Sequence, residues 1–130
     1  MTLMSCNNSN PFLSDWTTPY SIPDFSAVQE KHYIPAVEAG IAQQEAEIQA
    51  IIDNQEAPTF ANVVEAYERS GAILDRVIGV LFNLAETDGT ESLQKIVEQA
   101  LPMLSVHSDN ISMNPAFFAK VEVLYKNMEN

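Results

Sequence analysis

The chain has 130 residues, 46% of them hydrophobic and 18% charged, which is the composition of a globular protein with room for one core. A chain of this length buries roughly two thirds of its unfolded surface, enough for a single domain but too little for a second one with its own active site. Its 6 Lys and Arg against 18 Asp and Glu leave a formal net charge of −12, which repels phosphate backbones and anionic headgroups and argues against nucleic-acid and polybasic membrane partners. Charged or amide residues interrupt every apolar stretch before it reaches the roughly 18 residues of a membrane-spanning helix.

Residues 1–10 hold the only cysteine, Cys6, so neither an internal disulfide framework nor a thiolate metal cluster can be built. Met1 to Ser5 is a short run of apolar and small residues, and Asn7 to Asn10 a polar tether. Leu3-Met4-Ser5-Cys6 resembles an imperfect lipobox, but the basic region and most of the apolar region of a signal are missing, so a lipoprotein signal requires a start further upstream. Two readings stay open, a disordered start with an incidental cysteine or the remnant of a lipoprotein signal.

Pro11, Pro19 and Pro23, with Pro35 following, argue for extended chain over residues 11–29. Phe12, Trp16, Tyr20 and Phe25 recur there at four- or five-residue steps, more large apolar side chains than a flexible linker uses. The segment reads as an arm that lies on this domain or on another one.

Residues 30–130 read as one helical domain. Ile34, Val37, Ile41, Ile48, Ile51 and Ile52 mark a first helix from about Glu30 to Asp53-Asn54, with Pro35 in its opening turn. Thr59 offers an N-cap to a second helix of more than twenty residues carrying Phe60, Val63, Val64, Tyr67, Leu74, Val77, Ile78, Leu81 and Leu84. Ser70-Gly71 and Gly79 fall inside it; close approach of a neighbouring backbone is the preferred explanation, a bend the other. Thr87-Asp88-Gly89-Thr90 turns and caps a third helix, Leu93 to Ile111, which Pro102 is expected to kink. Asn114-Pro115 opens a fourth, with Phe117, Val121, Leu124 and Met128 as an apolar edge still in progress at Asn130. Short connections make successive helices antiparallel neighbours, and the expected fold is an all-α bundle of about four antiparallel helices preceded by an extended proline- and aromatic-rich arm.

Catalytic chemistry is scarce. A hydrolytic zinc site needs three protein ligands, and the only histidines, His32 and His107, lie on different helices with no second His one turn away. No nucleophile elbow and no phosphate-binding glycine loop can be formed with the residues present. Carboxylate pairs such as Glu65 with Glu68 and Glu45 with Glu47 read as solvated helix faces.

One stretch carries more than composition. Asn10-Pro11-Phe12-Leu13-Ser14-Asp15-Trp16-Thr17-Thr18-Pro19-Tyr20, Ile22-Pro23-Asp24-Phe25 and Glu30-Lys31-His32-Tyr33-Ile34-Pro35-Ala36-Val37-Glu38 resemble the amino-terminal region of bacterial peptidyl-dipeptidases of the thimet oligopeptidase and oligopeptidase A family of zinc metallopeptidases. Further stretches continue the resemblance in order, from Ala57-Pro58-Thr59-Phe60 through Glu65 to Gly71 and His107-Ser108-Asp109 to Asn114-Pro115-Ala116-Phe117-Phe118.

That resemblance implies a large helical enzyme with a deep channel between two lobes and its catalytic His-Glu-x-x-His helix far toward the carboxyl end, a motif this sequence lacks. The chain would be the amino-terminal helical portion, helping shape the channel and not catalytic alone, while the whole enzyme removes carboxy-terminal dipeptides from short peptides. No catalytic or metal residue carries over, no cofactor belongs to this chain, and zinc belongs to the parent enzyme. Trp16, Tyr20 and Phe25 are expected to anchor the arm, with His32 and Tyr33 at the start of the first helix; a functional reading places that arm near the channel wall. The implied partners are the remaining lobes, with self-association of the isolated piece through uncovered apolar surface. The family default is a cytoplasmic location, the alternative a periplasmic lipoprotein anchored at Cys6. A free-standing helical module that binds a peptide or partner helix is the alternative function, and the open apolar edge of the last helix speaks against it.

Overall fold

The computed structural model describes residues 10–128. Call consecutive α-helices α1 (Tyr33–Asp53), α2 (Ala66–Arg69), α3 (Ala72–Thr87), α4 (Glu91–Ser112) and α5 (Pro115–Met128); a π-helical segment, Phe60–Glu65, leads directly into α2. No strand occurs among the described residues. The long helices pack as an antiparallel bundle in which α1 is central and touches α2, α3, α4 and α5.

Local chemistry sets most boundaries. The Asn62 N–H donates to Thr59 Oγ1 at 3.2 Å and the Thr59 N–H to Asn62 Oδ1 at 2.7 Å, a reciprocal cap that satisfies two otherwise orphaned donors. Thr90 Oγ1 accepts from the Leu93 N–H at 3.3 Å and so starts α4. Asn114 Oδ1 accepts the N–H groups of Ala116 and Phe117, both at 3.0 Å, ahead of Pro115, where a missing N–H costs nothing. A tight 3₁₀ turn, Glu30–His32, feeds α1, and α4 runs through Pro102 unbroken.

The single long second helix is corrected. The chain leaves helical geometry at Ser70, whose ψ is 156°, and Gly71 takes a positive φ of 74° before α3 begins at Ala72. Glycine alone enters that region without strain, and the break is held by Ser70 Oγ donating to the Tyr67 carbonyl at 2.7 Å and by the Gly71 N–H donating to Glu47 Oε2 at 2.7 Å. The expected close backbone approach is at neither Gly71 nor Gly79. A Cβ at Gly79 would meet nothing within 4 Å, whereas one at Gly40 would lie 3.0 Å from the backbone N and Cα of Leu74. Glu47, read as part of a solvated face, is the carboxylate that secures the break.

Two apolar cores result. The larger joins the arm and α1, α3 and α4 through Phe12, Tyr33, Val37, Leu74, Val77, Leu81, Leu93 and Ala100. The smaller gathers Ile48, Ile51 and Val63, with Ile111, Phe117, Val121 and Leu124 packed against them.

Candidate functional site

The arm is fixed to the bundle by a buried aromatic cluster centred on Phe12, which is fully buried. Its ring lies 5.3 Å from Tyr33 and 6.4 Å from Trp16, centroid to centroid. Asn10 ties the arm from both sides, accepting the Phe12 N–H at 3.1 Å and donating Nδ2–H to the His32 carbonyl at 2.7 Å. Half-buried Trp16 donates Nε1–H to the Pro11 carbonyl at 3.1 Å. The Arg76 guanidinium of α3 sits 4.6 Å above the Trp16 ring and donates to the carbonyls of Ser14 at 3.0 Å and Phe12 at 3.4 Å. One cation thus holds both the ring face and the arm backbone.

The five residues singled out in the sequence have different places. Trp16 and Tyr33 join the cluster. Burial raises the Tyr33 phenol pKa above its ordinary 10.0, and the nearby Glu30 carboxylate raises it further. His32 is half-buried and its Nδ1 accepts from the Gln29 N–H at 3.0 Å. Tyr20 is 94% exposed and Phe25 53% exposed, so neither contributes to the buried cluster. Phe12 is one of the four recurring arm aromatics but not one of the expected anchors, and Arg76 carried no signal, since nothing in the sequence connects α3 with residues 12–16.

A second polar group lies where α1, α2 and α4 meet. His107 is 5% exposed, and its Nε2–H donates to Gln44 Oε1 at 2.7 Å, while Gln44 Nε2 donates to Ser70 Oγ at 3.1 Å. The remaining ring nitrogen, Nδ1, is buried without a hydrogen-bond partner, and Glu45 Oε1 lies 3.8 Å from it. His107 and Glu45 make two potential donors, short of the three a hydrolytic zinc site requires. Among the described residues no group of three or more His, Cys, Asp and Glu could hold a metal ion. The donors among the described residues therefore do not fit a hydrolytic zinc site.

The surface with the clearest capacity to bind is apolar. Pro58, Phe60 and Val64 on one side and Val121, Leu124, Tyr125 and Met128 of α5 on the other line a groove of about 440 Å³. Phe60 is 63% exposed, Tyr125 62% and Met128 83%, and Phe118 of the same helix is 62% exposed. Large apolar side chains exposed together in this way mark a contact surface. No described helix is long and apolar enough to cross a membrane.

No protein-family profile matches the chain. It is 35% identical over 119 residues to the dipeptidyl carboxypeptidase of Salmonella typhimurium and 36% identical over 121 residues to that of Escherichia coli, matches covering 92% and 93% of the chain. The chain is related to these peptidases. Oligopeptidase A of Salmonella typhimurium is 24% identical over 110 residues, or 85% of the chain. The relationship to dipeptidyl carboxypeptidases thus runs from the arm through α5, while the chain spans only about 18% of the length of those curated relatives.

Proposed function

We propose that this chain is the amino-terminal helical portion of a zinc peptidyl-dipeptidase that removes carboxy-terminal dipeptides from short peptides. It shapes one wall of the substrate channel and is not catalytic by itself. The observation that carries the reading is the asymmetry of the match, 93% of this chain against 18% of the dipeptidyl carboxypeptidase. The groove between the π-helical segment and α5 supports it, because an apolar surface of this kind is normally covered, and the remaining lobes of the enzyme are the proposed cover. Zinc would be held by residues outside this chain. A cytoplasmic location follows the family default; attachment through Cys6, which lies outside the described residues together with the lipobox-like stretch, is the alternative.

The deciding experiment reads the natural gene on both sides of this segment. A downstream frame that continues into a helix bearing His-Glu-x-x-His supports the peptidase reading. An immediate stop after Asn130 replaces it with a free-standing module whose groove takes a partner helix.

A further inference from the structure

The two apolar cores lie one beyond the other along the bundle, and a polar layer divides them. On α1 the larger core ends at Ile41 and the smaller begins at Ile48, with Gln44 between; on α4 Leu104 closes the first and Ile111 opens the second, with His107 between. The bond from His107 to Gln44, and from Gln44 to Ser70, crosses that layer. A cleft of about 260 Å³ runs along it, bordered by Gln44, Tyr67, Leu74, His107 and Ile111, and the buried His107 Nδ1 there has no hydrogen-bond partner. The boundary is therefore poorly packed, and packed apolar contacts are what make neighbouring elements unfold together.

Burial differs sharply across this boundary. In α3 Leu74, Val77, Val80, Leu81 and Ala85 are buried, whereas α5 and α2 contain no buried residue and the π-helical segment contains only Val63. The covalent link from α2 into α3 is Ser70-Gly71, at the positive-φ glycine.

We infer that the π-helical segment, α2 and α5 form one cooperative unit that opens and closes on the ends of α1 and α4. The Gln44–Ser70 hydrogen bond is its latch and Gly71 its pivot. This motion depends on the packing within the chain and stands whether or not the groove belongs to a peptidase.

Amide hydrogen exchange on the 130-residue chain tests it. Amides of residues 62–68 and 118–127 are expected to share one level of protection, about tenfold or more below that of residues 77–81. Ser70→Ala, which deletes the hydroxyl's bonds to Gln44 and to the Tyr67 carbonyl, is expected to speed exchange several-fold in both distal segments and leave residues 77–81 unchanged. A single level of protection across all helices overturns the inference. So does a Ser70→Ala variant that accelerates both groups in parallel, or neither.

Discussion

Gly40 of α1 and Leu74 of α3 meet backbone to backbone, with the position of a Cβ on Gly40 only 3.0 Å from the Leu74 N and Cα. The two central helices can approach this closely only because one of them lacks a side chain there. Gly40→Ala is expected to push them apart and cost about 1–3 kcal/mol. Gly79 faces open space, so Gly79→Ala is expected to stabilise α3 by about 0.5–1 kcal/mol through helix propensity. Urea denaturation followed by circular dichroism measures both, and equal effects at the two glycines would contradict the contact.

Phe12 carries the attachment of the arm. Phe12→Ala should cost about 3–5 kcal/mol, the range for emptying a buried aromatic site, and Trp16 fluorescence should shift toward that of a solvated indole. Arg76→Ala removes a half-exposed cation from the same ring and two arm carbonyls. Its expected cost is smaller, about 0.5–1 kcal/mol, with the Trp16 signal changing more than the helical signal. An unchanged indole emission in both variants would show that the arm is held elsewhere.

Tyr33 makes stability depend on alkaline pH. Burial and Glu30 raise its pKa in the folded chain above the ordinary 10.0, so the unfolded chain loses its proton first as pH rises. The stability tied to the neutral phenol is complete below pH 10 and declines as pH climbs through 10 toward and past the folded value. Urea midpoints measured from pH 8 upward should fall above pH 10 and fall less steeply in Tyr33→Phe; parallel curves would remove Tyr33 as the cause.

Phe60 and Tyr125 face each other across an open groove and are both more than 60% exposed. The isolated chain is therefore expected to associate as its concentration rises and to bind a hydrophobic dye. The double change Phe60→Ser and Tyr125→Ser should lower both while shifting the urea midpoint by no more than a surface substitution does, about 0.5 kcal/mol each. Sedimentation velocity across a concentration series reads the outcome, and association undiminished by the double change would place the sticky surface elsewhere.

Much of this molecule is local and was therefore present in the sequence by itself. The caps at Thr59, Thr90 and Asn114 act within three residues, and the apolar stripes follow the helical repeat, so the helical class and most boundaries were legible from residue order alone. The relationship to peptidases was legible for a different reason, because it rests on residue identities that need no folding to be compared.

What only the tertiary structure decided depends on residues far apart in the chain. Gly71 and Gly79 are equivalent on the sequence, yet Glu47, 24 positions away, fixes the first at a helix break while the second continues α3. Phe12 outranks Tyr20 and Phe25 as an anchor because Arg76, 64 positions on, donates to its carbonyl and Tyr33 covers its ring. The division into two cores, the buried His107 between them and the open groove beside α5 likewise arise when α1 and α4 are brought side by side. Periodicity specifies which face of a helix is apolar; it contains no information about which other face will cover it, and that choice is made by packing.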